Sequence, residues 1–160
     1  MTYAVDLHAH LFVPEAESLA RKHPGWIRAD EIGRRVMGDR SYLHNQEQAA
    51  KILSKSTNID LRLEDMDHMG VDIQVLSPSP TQYYLWAEPE LASSLVRIQN
   101  DRIAELCQTC PDRFLGIGAV ALQHPELALS QLQECMNTYP MKGVEIASAY
   151  GGTDLSQVIQ

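Results

Sequence analysis

The sequence is short of nearly everything that would take it outside the ordinary globular classes. Its 160 residues hold only three cysteines, too few for a disulfide scaffold, so a reduced, cytoplasmic setting is expected. No apolar run approaches the ~18 residues that a membrane span needs. The opening residues, Met1 to His8, lack both a basic stretch and an apolar segment, so no secretory leader is expected. Positive charge is scarce as well: 13 Lys and Arg stand against 21 Asp and Glu, a formal net charge of −8. That balance excludes a general binder of nucleic acid or of anionic membranes, since both need a positive face.

What is present is ordinary in amount and uneven in place. Hydrophobic residues make up 44% and charged residues 21%, which excludes the disordered and fibrous classes. A chain of this length buries about 70% of its unfolded surface, and no linker divides it, so residues 1–160 read as one domain. Between Leu11 and Asn58 the net charge is +2, whereas the remainder carries −10. The basic segment is either chance variation on a solvated face or a flap that attracts an anionic substrate.

Strand and helix signals alternate along the chain. Ala4 to Leu11 reads as a first strand, and Pro14 to Lys22 as a helix with proline at its start and Arg21 and Lys22 at its end. His23-Pro24-Gly25 closes it. A further helix is expected from about Asp60, its N-cap, to Met69, with Gly70 as the stop. Val71 to Ser77 forms a second strand, closed by Pro78 and Pro80. Glu88 to Thr109 is the longest helix, its stripe built from Leu91, Ala92, Leu95, Val96, Ile98, Ile103, Leu106 and Cys107.

Phe114 to Leu122 is the third strand, and Gly116-Ile117-Gly118 inside it reads as tight strand packing, since no helix start follows. The last helix, Pro125 to Tyr139, is expected to turn Ala128, Leu132, Cys135 and Met136 inward. Gly143 to Ala149 is the fourth strand, followed by a Gly151-Gly152 turn. Strands alternating with helices at this spacing require right-handed crossovers and a parallel sheet. Four such strands make either a small open sheet or half of an eight-stranded barrel.

The chemistry is concentrated in Asp6-Leu7-His8-Ala9-His10. Strand alternation places Asp6, His8 and His10 on one face and Leu7 and Ala9 on the other. Two imidazoles at i and i+2 converge above a sheet, and their neutral nitrogens suit zinc or another divalent metal. The C-terminal end of a first strand is where barrel enzymes keep their sites.

Several segments, in order, resemble the amidohydrolase-related family, and within it the aminocarboxymuconate-semialdehyde decarboxylase-like branch. They are Val5 to His10, Leu63 to Val71, Tyr84 to Glu90, Asn100-Asp101, Pro111 to Gly116, His124 to Ala128, and Lys142 to Ile146. The resemblance implies a metal-dependent hydrolase (β/α)₈ TIM barrel, of which this chain would be the N-terminal half, about four βα units. It implies that His8 and His10 are two metal ligands. It also implies that a His after strand five, a catalytic His after strand six and an Asp after strand eight complete the site. None of those strands is read here, so no catalytic residue is assigned within the chain and little turnover is expected from it. A truncated reading frame or fragment is the expected explanation of the length.

By the same resemblance the reaction would be decarboxylation of a small unsaturated or aromatic carboxylic acid. The alternatives are hydrolysis by a superfamily relative, or a non-catalytic half-barrel that dimerises or docks on a partner. Lys51 is the nearest match to the basic residue that such enzymes use for the substrate carboxylate. Tyr83, Tyr84 and Trp86 follow strand two and either line a substrate pocket or pack over the helix. His23 and His44 read as loop residues, His68 as a surface residue near a helix end, and His124 as preceding or capping its helix. Cys107-Gln108-Thr109-Cys110 ends a helix, where the dipole disfavours thiolate, so no redox role is expected. Glu64, Asp65 and Asp67 read as a solvated face.

Overall fold

Four parallel strands in the order β1-β2-β3-β4 form the frame, each entered from a helix or leading into one. The structure is a computed structural model that describes residues 2–150 and 153–154. The strands are β1 (Val5–Leu11), β2 (Ile73–Pro78), β3 (Phe114–Ala119) and β4 (Met141–Glu145). A short antiparallel pair, β5 (Ala149–Tyr150) with β6 (Thr153–Asp154), follows. The expected Gly151–Gly152 turn lies outside the described residues.

Six helices connect them: α1 (Pro14–Ala20), α2 (Pro24–Met37), α3 (Asp39–Thr57), α4 (Ile59–Met69), α5 (Pro89–Thr109) and α6 (Pro125–Asn137). The stretch from His23 to Asn58 is therefore mostly helical, where the sequence suggested loop. His44 lies inside α3, and His23 caps α2, its ring accepting from the Gly25 N–H. Neither α2 nor α3 buries a side chain, so propensity and local pairs form them. One such cluster joins Arg34 to Asp39, and the Tyr42 hydroxyl to Asp30. Asn58, rather than Asp60, caps α4, accepting from the N–H groups of Asp60 and Leu61. Its amide reaches those donors without a charge, and such a cap contributes about 1 kcal/mol.

The core lies between the sheet and α5. Phe114, Leu76, Leu95 and Ile103 are fully buried there, with Met66 from α4 and Cys135 from α6 closing its ends. The two glycines of β3 admit this packing. A Cβ on Gly116 would sit 2.7 Å from Met141 Sδ, and one on Gly118 2.7 Å from Cys135 Sγ. Asn100 of α5 secures the same strand, its side chain exchanging two hydrogen bonds with the Ala119 backbone. On α6, Ala128 and Cys135 face the core as expected, but Leu132 and Met136 do not. Together with Leu129 they are 37–58% exposed, because no described element covers that flank of the helix.

Two irregularities decide which way the strand side chains point. Asp6 pairs with Gln74 and Ala9 with Leu76, so β1 carries one extra residue between them. Such a bulge turns Asp6 to the helix side with Ala9, not to the face of His8 and His10. There Asp6 accepts from Gln74 Nε2 and from its own neighbour, the His8 N–H. A second shift, Gly116 with Met141 and Gly118 with Val144, does the same in β4. Met141 and Val144 both pack on the core, and Glu145 is left on the concave face.

Candidate metal centre

The C-terminal ends of the parallel strands gather polar side chains from β1, β2 and β4. His8 Nε2 and His10 Nε2 stand 2.9 Å apart, with the two rings edge to face. His10 Nδ1 is 3.1 Å from the Pro78 carbonyl and 3.1 Å from Ser77 Oγ. A carbonyl only accepts, so Nδ1 carries the proton and Nε2 is the bare nitrogen. A proton from His8 or a cation must then lie between the two Nε2 atoms, since facing lone pairs repel.

The spacing can be tested against a metal directly. Two nitrogens about 2.1 Å from one ion lie about 3.0 Å apart at the right angle of octahedral coordination and about 3.4 Å apart at the tetrahedral angle usual for zinc. The observed 2.9 Å matches the octahedral arrangement and is short of the tetrahedral one, and the tautomer of His10 is the one that a ligand needs. Among the described residues no third His, Cys, Asp or Glu joins the pair as a ligand group. The arrangement supplies two imidazole donors.

Glu145 closes the other side. Its Oε2 is 3.9 Å from His10 Nδ1, and its Oε1 accepts from the Tyr83 hydroxyl at 2.7 Å. Burial, and then the hydrogen bond to this carboxylate, hold the Tyr83 phenol well above the ordinary tyrosine range. Glu145 Oε2 is buried and has no hydrogen-bond partner among the described residues. Tyr83, Leu122, Glu145 and Ile146 line a small cleft together with Val96 and Gln99 of α5, and neither His8 nor His10 borders it.

Behind the pair, Arg62 of α4 is buried, its Nη2 donating to the His10 carbonyl at 2.8 Å and its Nη1 to Gln74 Oε1 at 3.1 Å. Burial lowers its guanidinium pKa from the usual value, and Asp6 and then Asp65 oppose the shift. Arg62 thus fixes the backbone that carries His10. The sequence offered no sign of this, because a basic residue on a short helix ordinarily reads as solvated. Glu145 was also missed as a site group, since simple alternation ignores the β4 bulge.

The remaining candidates are placed as follows. Tyr84 is buried, its hydroxyl donating to Glu17 Oε2 of α1 and accepting from Gln82 Nε2. Burial, then the charge of Glu17, raise its phenol far above the ordinary range. Its backbone lies in the left-handed region at φ 46°. Trp86 stacks on His23 and packs over Gly25. Both aromatic rings therefore contact the α1–α2 layer. Lys51 is exposed on α3. His68 bonds the Glu64 carbonyl on its own helix. His124 stands at the N-cap position directly before α6, as expected, with its ring bonding the Ala87 carbonyl rather than an N–H of the helix.

The loops that carry these residues are tied to one another. Gln82 exchanges hydrogen bonds with both backbone groups of Val13, and Gln99 donates to the Gln82 carbonyl. Gln123, near the end of the β3–α6 loop, donates to the carbonyls of Tyr84 and Ala87.

Residues 5–158 match the amidohydrolase (Amidohydro_2) family model. The chain belongs to the amidohydrolase family. The 2-amino-3-carboxymuconate-6-semialdehyde decarboxylase of Dictyostelium discoideum is 30% identical over 156 residues, covering 94% of this chain and 42% of that protein. The structure of 2,6-dihydroxybenzoate decarboxylase from Rhizobium superposes with a TM-score of 0.65 at 26% identity, over 90% of this chain and 38% of that one. The 5-carboxyvanillate decarboxylase of Novosphingobium aromaticivorans, solved with manganese, gives a TM-score of 0.72 at 24% identity, over 92% and 42%. This amidohydrolase chain thus spans about two fifths of the length of these relatives. Its four parallel strands, with helices following the first three, have the fold of part of a TIM barrel. No helix among the described residues is long and apolar enough to cross a membrane.

Proposed function

We propose that this chain provides the metal-holding first half of a decarboxylase acting on a small aromatic or unsaturated carboxylic acid, in the cytoplasm. The observation that carries the reading is the 2.9 Å approach of His8 Nε2 and His10 Nε2, with His10 Nδ1 committed to Pro78. His8 and His10 would hold a divalent ion, zinc or manganese. The solved relative that contains manganese supports the latter choice. When bound, such an ion supplies Lewis-acid stabilisation of negative charge that develops on the substrate.

The chain's own residues do the rest of what we assign. Ser77 and Pro78 orient His10, and Tyr83 with Glu145 forms the polar wall of the cleft. Lys51, in the basic segment, is the group we assign to draw the substrate carboxylate toward the rim. Tyr84 and Trp86 would shape the pocket through the α1–α2 layer rather than through their polar atoms. Turnover by these 160 residues alone is expected to be slight, because two imidazoles hold an ion less firmly than the three or more protein ligands of a catalytic site.

A second reading is that the half-barrel works by association, with a second copy or with a chain that supplies further strands. Exposed Leu7 beside one sheet edge and Leu129, Leu132 and Met136 near the other favour it. Manganese and zinc titration of the purified chain tests the metal site. We expect binding by the wild type and its loss in His8→Ala, and equal binding by both would overturn the proposal. Carbon dioxide release from 2,6-dihydroxybenzoate, measured with and without a chain supplying the later strands, separates decarboxylation from hydrolysis and from a purely docking role.

A further inference from the structure

Glu145 reaches the histidine pair from the opposite edge of the sheet, and its two oxygens differ. Oε1 is anchored by the Tyr83 hydroxyl, whereas Oε2 is buried without a partner among the described residues. A buried carboxylate oxygen that accepts nothing is costly. It faces His10 Nδ1, the ring nitrogen on the side away from His8. At 3.9 Å it is beyond hydrogen-bond range, but well within the range of an electrostatic interaction.

We propose that Glu145, held by Tyr83, is a positioning residue that favours His10 in the form that presents Nε2 to a divalent cation. The inference rests on the metal reading above and adds a group to it. A cation on Nε2 draws electron density from the ring and makes Nδ1–H a stronger donor. The Pro78 carbonyl and Ser77 hydroxyl receive that proton, and the carboxylate beyond them stabilises the positive charge that the ring acquires. Carboxylates and carbonyls that orient ligating histidines generally change metal affinity by 10–100-fold.

The experiment uses the 160-residue chain, with Mn²⁺ as the probe in calorimetric titration and nitrogen-15 NMR of the His10 ring as the second readout. Glu145→Gln keeps an acceptor for Tyr83 but removes the charge. It is expected to weaken Mn²⁺ binding about 10-fold and to lower the share of the Nδ1–H form of His10, with little change in melting temperature. Tyr83→Phe, which releases the carboxylate from its anchor, moves both readouts the same way by less. Glu145→Asp recovers part of the affinity. A purely structural role would move the melting temperature and leave the His10 ring unchanged.

Unchanged affinity and an unchanged ring in Glu145→Gln overturn the inference while leaving the metal site standing. A loss as complete as that of His8→Ala makes Glu145 a ligand and also overturns the positioning role. Failure of the wild type to bind Mn²⁺ overturns both readings.

Discussion

Glu145 Oε2 and His10 Nδ1 lie 3.9 Å apart although their strands stand at opposite edges of the sheet. Across a flat sheet, three strand spacings would separate them by about 14 Å. The sheet is therefore curved, and long side chains from its two outer strands meet over the concave face. This is the geometry of an arc of a barrel rather than of an open doubly wound sheet.

The arc depends on the buried guanidinium behind β1. Arg62→Met would leave the His10 carbonyl and Gln74 without their donor, and Asp6 without a nearby positive charge. We expect a loss of about 3 kcal/mol, measured by urea unfolding, together with weaker metal binding. Full stability in the variant would show that the strand does not need this support.

Gly116 tests the packing of β3. An added methyl would meet Met141 Sδ at 2.7 Å and Ile103 Cγ2 at 2.8 Å. Gly116→Ala should cost about 1–3 kcal/mol. Met141→Ala alone costs about 2–5 kcal/mol, and the double variant should lose less than the sum of the two single losses, because one of the clashing atoms is removed.

The thiols give a pH prediction. Burial pushes Cys107 and Cys135 each up to about 11, from an ordinary value of 9.0. The unfolded chain therefore loses these protons first. Their contribution to stability is intact below pH 9 and is lost as the pH rises through 11. Mild alkylation at pH 8 should label half-buried Cys110 and spare the other two until the protein unfolds. Rapid labelling of all three thiols in the native state would contradict their burial.

The α2–α3 hairpin should open first. It buries no side chain, so few apolar contacts oppose local unfolding. Brief trypsin treatment should cut at Arg34, Arg35, Arg40 or Lys51 before any site in α5. Early cleavage within α5, at Arg97 or Arg102, would reverse that ranking.

The alternation of strand and helix, the long apolar stripe of α5 and the histidine spacing in β1 were all legible in the sequence. So was the close packing at Gly116 and Gly118, because glycines inside a strand leave room for a neighbour. The bulges were not legible. One extra residue in β1 turns Asp6 away from the histidines, and one in β4 turns Glu145 toward them, and neither leaves a mark in residue order. Helices α2 and α3 were missed although α2 is amphipathic: their apolar side chains, Ile27, Ile32, Val36 and Leu43 among them, stay exposed instead of joining the core. Arg62 was hidden because only tertiary contacts distinguish a buried arginine from a solvated one.

The mutual ties among Gln82, Val13, Tyr84, Glu17, Gln123 and Ala87 also bear on how this scaffold can vary. Loops laced together in this way tolerate exchanged side chains but resist insertions, since lengthening one would pull its neighbours out of register. Changes of length should accumulate instead at the corner between α2 and α3, around Gly38, away from the contacts that Trp86 makes with His23 and Gly25. Descendants of this fold would then acquire new substrates by substitution at the rim and new outlines by growth at the hairpin.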